Sequence, residues 1–415
     1  ADPGPAVQRH LRRSGSQLAI QERVFELDST PRIYLLAVGK AAVLMCEATL
    51  EVLPDSIFKG IVVHQEPTYQ LARPDIQSFC AGHPLPDQSS LDAGLAVASM
   101  LAETEPSDLV LCLISGGTSA MLEYASPGIE LAELIDLNQR LLKSGAPIGD
   151  INTVRKALSL IKGGGLLSLA APATVAGLIL SDVVGDRLPD IGSGLSVPQN
   201  VSRSEARTLL EQLGLWEATA PSIKRTLTLE PSLIGGYPDP INVIIASNRD
   251  LLLAARETAG ELGFSVDVDE EPLLGEARAV GEQIAVRALT YPTEVHGSAR
   301  IFGGETTVTV IGVGLGGRNQ ELALAAALVL DGQPGITLMS LASDGVDGPT
   351  DAAGAIIDGE TCARIRASGI DPRSALSLND SYHALDAAGA LLRSEPSGTN
   401  LNDVVVLLEY GSGQV

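Results

Sequence analysis

Short runs of Val, Ile and Leu recur along this chain, most of them closed by Gly, Ser or Asp, and this rhythm limits its fold more than any other feature. The runs are "RIYLLAVG" (32–39), "KGIVVH" (59–64), "DLVLCLIS" (108–115), "TVAGLILS" (174–181), "INVIIAS" (241–247), "TTVTVIG" (306–312), "ITLMSLAS" (336–343) and "DVVVLLE" (403–409). Helical patterns such as "SLDAGLAVASMLAET" and "RDLLLAARETAGELG" fall between them. Apolar runs without polar alternation suit strands covered on both faces. Strands alternating with helices predict βαβ units, a largely parallel sheet and ligands at the carboxyl ends of the strands. With only 3% aromatic residues, the core must be built from aliphatic layers. A chain of 415 residues exceeds what one such core serves, so two α/β domains are expected. The Pro/Gly-rich "EPSLIGGYPDP" (230–240) is the candidate linker, which divides the chain into 1–238 and 239–415.

A net charge of -23 excludes the basic face that nucleic acid or an anionic membrane requires. Cys46, Cys80, Cys112 and Cys362 stand apart in apolar surroundings, without a CxxC pair or a Cys/His cluster. Buried free thiols in a reducing compartment are expected, not a zinc site. The longest apolar run is too short to span a bilayer and the amino terminus lacks a signal-peptide pattern, so the cytoplasm is the expected location.

The residues after the strands then carry the functional reading. "GVGLGGRNQELAL" (312–324) follows the β-branched "TTVTVI" and reads as strand, glycine loop and helix, with Arg318 at the mouth of the loop. Gly314, Gly316 and Gly317 would turn amides and the positive end of a helix dipole towards an anion, with Asn319 alongside. Lys40, in "AVGKAA", starts a helix directly after a buried strand, a position that disfavours a cation unless it faces an anion. "LISGGTSAML" supplies a second nest through Ser115, Gly116, Gly117, Thr118 and Ser119. In "INTVRKALSLIKGGGLL", Arg155 and Lys162 are seven residues apart and fall on one helix face, with Lys156 offset; a solvated basic helix is the plainer reading. Asp182 and Asp186 follow one strand, and Asp344, Asp347 and Asp351 another. Aspartates beside anion loops suit Mg2+, which needs one or two carboxylates, though Asp beside Gly is also ordinary turn chemistry. His83, in "GHPLPD", is the one histidine expected near a site. Walker A is absent. Gly312, Gly314 and Gly317 match G-x-G-x-x-G, but no acidic residue ends the next strand at the expected distance, so phosphate binding is favoured over NAD.

In this order "AVGKAA", "GHPLPD", "SGGTSAML", "INTVRKALSLIKGG", "LILSDVVGD", "GGETTVTVIGVGLGGRNQELAL", "SDGVDGPTDAAGA" and "SGTNLND" resemble the class II glycerate kinases, whose carboxyl-terminal part is the MOFRL domain. The resemblance covers nearly the whole chain, and the opening "ADPGPAVQRHL" is similar to the family's first helix, which suggests a shortened native start. It implies two Rossmann-like α/β domains with largely parallel sheets flanked by helices, an active site in the interdomain cleft, and ATP- and Mg2+-dependent phosphorylation of D-glycerate to 2-phosphoglycerate. A homodimer is compatible with it. The family's essential lysine and arginine fall on Lys40 and Arg318. The amides of 115–119 and 314–317, with Lys156, Lys162 and Asn319, are then expected at the phosphates or the substrate carboxylate. Asp182 with Asp186 or Asp344 is expected at the metal, and Asp182 stands equally as the base that accepts the hydroxyl proton. The chain has "GSGLS" where the family has "ASGPT", "RKALS" for "RKHLS" and "SGGTS" for "SGGGS". The competing readings are an NAD(P)H-dependent hydroxypyruvate reductase and a non-catalytic sensor of sugar acids or nucleotides.

Overall fold

The computed structural model describes residues 2–30, 32–229, 236–290 and 297–410. It divides into two compact units, Asp2–Ile245 and Ala246–Val415. Most of the 230–240 linker lies outside the described residues.

The amino-terminal unit opens with the helix Pro3–His10 and a three-stranded antiparallel meander: β1 (Leu11–Ser14), β2 (Gln17–Ile20) and β3 (Arg23–Glu26). Its main sheet has six strands: β4 (Ile33–Val38), β5 (Ile57–His64), β6 (Ile76–Cys80), β7 (Leu109–Ile114), β8 (Thr174–Leu180) and β9 (Ile241–Ala246). Their spatial order is β6-β5-β4-β7-β8-β9, and β4 pairs in parallel with both β5 and β7. This is the doubly wound order, whose direction reverses between its first and fourth strands, here β4 and β7. Every residue of β4 and of β7 is buried, as their unbroken apolar sequence requires. Strand β9 completes this sheet although it follows residue 238.

The carboxyl-terminal unit holds β10 (Ser265–Val268), β11 (Ser298–Gly304), β12 (Ile336–Ala342), β13 (Gly354–Asp358), β14 (Leu391–Leu392) and β15 (Asp403–Glu409), in the order β10-β11-β15-β12-β13-β14. The α/β class holds, but parallel pairing does not extend to this sheet. Only β10–β11 is parallel, and β15 lies antiparallel between β11 and β12. The expected strand over 306–312 is absent; the segment makes an isolated bridge through Thr307, and the strand before it ends at Gly304. The helix Arg318–Val329 is buried from Asn319 to Ala327, which accounts for its small and aliphatic residues on every face. It packs on the helix Ala277–Thr290, where Gly281 admits the Leu322 carbonyl.

Candidate active site

In the amino-terminal unit several of the expected site residues gather where β4 and β7 part. Gly39, at φ 119, lets the two strand ends touch, because a side chain there would fall on Ser115 and the Gly116 carbonyl. The Lys40 amide donates to the Gly116 carbonyl (2.8 Å), and the Ala41 amide to Ser115 Oγ (3.0 Å). Thr118 Oγ1 donates to the Val38 carbonyl (3.0 Å) and the Ser115 carbonyl (2.7 Å), while Ser119 shares a hydrogen bond with Ser193 (2.7 Å). The hydroxyls of Ser115 and Thr118 are therefore spent on joining the strands, which leaves the Gly116–Gly117 turn as the part of the loop that faces the site. A methyl group on Gly116 would meet the Asp182 carboxylate; one on Gly117 would meet His83 and the stem of Lys40. Lys40, His83, Gly116, Gly117 and Asp182 thus form one cluster at the switch point. His83 is held below the usual histidine range by burial, with the charges of Lys40 and Arg155 adding to the effect, so its ring is neutral at pH 7.

Lys156 and Lys162, expected at an anion, each hold partners within the chain. Lys156 Nζ donates to the Pro189 carbonyl and Gln199 Oε1, both at 2.8 Å. Lys162 is fully buried against Glu123, and burial pushes its pKa down. The helix Ile148–Leu158 ends before Lys162, so Arg155 and Lys162 do not share a helix face. Of this segment, Arg155 stands within electrostatic reach of His83. Its relevance was veiled in the sequence by its two lysine neighbours.

In the carboxyl-terminal unit Arg318 is clamped. Its Nε and Nη2 donate to the two oxygens of Asp403 (2.6 and 3.0 Å), and Nη1 lies 3.0 Å from Glu305. These carboxylates hold its pKa above the ordinary arginine value despite burial. Asp403 itself is raised by burial, against the pull of Arg318, with Asp344 adding to the rise. The glycines before Arg318 pack against the protein itself. Gly312 packs on Leu378, Gly314 on Asp380, Gly316 on Ser381 and Gly317 on Asp347, all too close for a side chain. The Gly312 amide donates to Asn379 Oδ1 (2.9 Å), that of Gly314 to the Leu378 carbonyl (3.0 Å) and that of Leu315 to Asp380 Oδ1 (3.0 Å). The start of the helix is likewise occupied: Asp347 accepts from the amides of Asn319 (3.1 Å) and Gln320 (2.9 Å). Asn319, also expected at the cofactor, is buried and accepts from Ser340 Oγ at 2.6 Å. Burial pushes Asp347 up to about 6, against the amides that favour its charged form. Glu305 and Asp403, the partners of Arg318, lie in "GGETTVTVIGVGLGGRNQELAL" and "SGTNLND" but are not among the expected site residues.

Among the described residues no group of three or more His, Cys, Asp or Glu is placed to hold a metal. Asp182 and Asp186 belong to the first unit and Asp344 to the second. Asp186 stands at φ 51 in the turn after β8. Three cysteines are buried, but Cys80 is exposed, against expectation. No described helix is long and apolar enough to cross a membrane.

Comparison with known proteins places this geometry in a family. Residues 1–228 match a domain of unknown function, DUF4147, and residues 298–403 match the MOFRL family. The D-glycerate 2-kinase of Thermotoga maritima is 41% identical over 94% of this chain and 93% of its own. The crystal structure of a glycerate kinase from Thermotoga maritima superposes with a TM-score of 0.83 at 41% identity, covering 91% of each chain. A relative from Agrobacterium vitis, provisionally named a hydroxypyruvate reductase, is 39% identical over 91% of this chain and 99% of its own. Identity of this extent along nearly the whole of both chains, together with the MOFRL match, makes the chain a member of the class II glycerate kinase family.

Proposed function

We propose that the chain transfers the γ-phosphoryl group of ATP to the 2-hydroxyl of D-glycerate, giving 2-phosphoglycerate and ADP. The observation that carries this reading is the switch-point cluster, in which a lysine, a neutral histidine, a two-glycine turn and an aspartate meet where doubly wound sheets bind ligands. In the reaction the 2-oxygen forms a bond to the γ-phosphorus as the bridging bond to ADP breaks, and the hydroxyl proton leaves to a base. Such a transfer asks the protein for alignment and for neutralisation of charge.

Lys40 supplies that neutralising charge in the first unit. Arg318, oriented by Asp403 and Glu305, supplies a second cation whose direction is set before substrate arrives. The Gly116–Gly117 turn carries no side chains, which lets groups such as the Asp182 carboxylate approach its backbone closely, and we assign it to the phosphates. Mg2+, when bound, would offset phosphate charge; Asp182 and Asp186 are the carboxylates we assign to it, with Asp344 the candidate of the second unit. Asp182 is also the group nearest the turn that could take the hydroxyl proton. Free buried thiols at Cys46, Cys112 and Cys362 support placing the enzyme in the cytoplasm.

The test is incubation with D-glycerate, ATP and Mg2+, with ADP release followed by a coupled assay and the product identified by phosphorus NMR. A parallel incubation with hydroxypyruvate and NADH reads the reductase alternative. ADP release with phosphorus on the 2-oxygen is expected; consumption of NADH without ADP release would overturn the proposal.

A further inference from the structure

Arg155 is held by a neutral side chain. It lies in the last turn of the helix Ile148–Leu158, where a cation suits the helix dipole, but that role would be served by an exposed side chain. Arg155 is instead half-buried, and its Nε donates to Asn138 Oδ1 at 2.6 Å. Asn138 is buried and cannot turn, since its Nδ2 donates to the Leu134 carbonyl at 2.8 Å. A neutral amide therefore holds the guanidinium by one nitrogen and leaves the terminal nitrogens to point elsewhere.

The contrast with the other half-buried arginines is direct. Seven of them, Arg32, Arg73, Arg140, Arg278, Arg300, Arg318 and Arg364, each hold a carboxylate of the chain, Asp108, Asp75, Asp136, Glu321, Glu409, Asp403 and Asp358 respectively. Among the described residues Arg155 makes no ion pair. The acid nearest in charge, Glu123, is already engaged by Ser159 Oγ (2.6 Å) and by Lys162. Desolvating a cation without a partner is unfavourable, so this arrangement is a cost to the folded chain that a bound anion would offset. Arg155 also stands within electrostatic reach of His83, whose ring packs at Gly117 beside Lys40.

We propose that Arg155 determines specificity at the switch-point site by binding the carboxylate of the acid substrate through its two terminal nitrogens, in the orientation that Asn138 imposes. The inference rests on the glycerate kinase reading and deepens it. With Nε occupied, the remaining donors are the paired terminal nitrogens, whose parallel N–H bonds match the two oxygens of a carboxylate. Lys40 is then left to the phosphoryl group.

The test compares the wild-type enzyme with Arg155→Gln, Arg155→Lys and Asn138→Leu, with KM measured separately for D-glycerate and ATP. Arg155→Gln should raise the glycerate KM about 10²-fold, as loss of charge-assisted hydrogen bonds implies, with the ATP KM within about twofold. Arg155→Lys should recover part of the loss, because the charge returns without the fork. Asn138→Leu, which keeps the cation but frees its direction, should raise the glycerate KM about tenfold or less and leave kcat nearly unchanged. Thermal melting of each variant separates loss of binding from loss of fold. An unchanged glycerate KM in folded Arg155→Gln overturns the inference, and so does a rise confined to ATP, which would make the residue a nucleotide-phosphate contact. If the wild-type enzyme does not phosphorylate glycerate, the functional reading fails and takes this inference with it; normal wild-type turnover with an insensitive Arg155→Gln removes the inference alone.

Discussion

The two glycine-rich segments, 115–119 and 312–317, look alike in sequence and are built for different reasons. The first follows a fully buried strand, and its glycines let Asp182, His83 and Lys40 close in on a turn at the sheet's switch point. The second follows no strand. Its glycines let the loop press against residues 378–381 and Asp347, and several of its amides are already hydrogen-bonded there. Glycine permits close approach in both places, but the approaching groups are the side chains of Asp182, Met121, His83 and Lys40 in one and the backbone and side chains of 378–381 and Asp347 in the other. A glycine loop is evidence for a ligand only when its open side stays open.

The largest effect bearing on this contrast concerns the two cations. Replacement of either Lys40 or Arg318 by Ala should lower kcat about 10³-fold or more if each meets charge that develops on the moving phosphoryl, by analogy with arginine fingers. Steady-state assays on folded variants decide the matter. An Arg318→Ala enzyme with near-normal kcat would make the second segment architectural throughout, with Arg318 serving only to neutralise Asp403 and Glu305.

The next effect separates stability from activity. In Gly312→Ala the new methyl group falls on the Leu378 backbone, which has nowhere to go, so a loss of about 3 kcal/mol and a clear drop in Tm are expected. In Gly116→Ala the methyl meets the end of the Asp182 side chain and not backbone. Stability should change by less than about 1 kcal/mol while kcat/KM falls up to about 10²-fold, because the displaced group belongs to the site. Urea unfolding and kinetics on the same two proteins test the pair; the reverse pattern would dissolve the distinction drawn between the loops.

How much of this was legible beforehand follows from the range of the interactions. Seven of the eight strand-like runs form strands, because a run apolar on both faces has few other uses, and Lys40 and Asp182 could be found by looking just past those strands. "TTVTVI" misled because β-branched residues signal a fit to a half-buried pleated surface and not a backbone state of their own. No such surface is offered there: Val310, Ile311 and Val313 are 70%, 74% and 97% exposed. The polar groups around them are taken by Glu276 and Asn379, which lie 33 and 68 residues away in sequence from Thr309 and Ile311. Arg318 stood out as a lone cation only because its partner Asp403 is 85 residues away. Lys156 and Lys162 could not be told from ligand-binding lysines for the same reason, since Gln199 and Glu123 reach them through the fold alone. The direction of the second sheet was hidden too, because antiparallel β15 carries the same apolar run as a parallel strand would.

The smallest effect tests whether the second loop's helix start is occupied by the protein itself. Asp347, which caps the helix bearing Arg318, has its pKa raised from 3.8 to about 6 by burial. The folded state therefore binds this proton more tightly than the unfolded chain. The stabilisation it gives is complete below about pH 4 and is lost as pH rises towards 6, with no further change above. Between pH 5 and pH 7.5 the wild-type protein should lose about 1 kcal/mol relative to Asp347→Asn, which cannot titrate, and urea unfolding at both values reads the difference. If the two proteins respond to pH in parallel, Asp347 is not a desolvated cap in solution. The helix start would then be open to an outside anion, and the second loop would regain the role that its sequence first suggested.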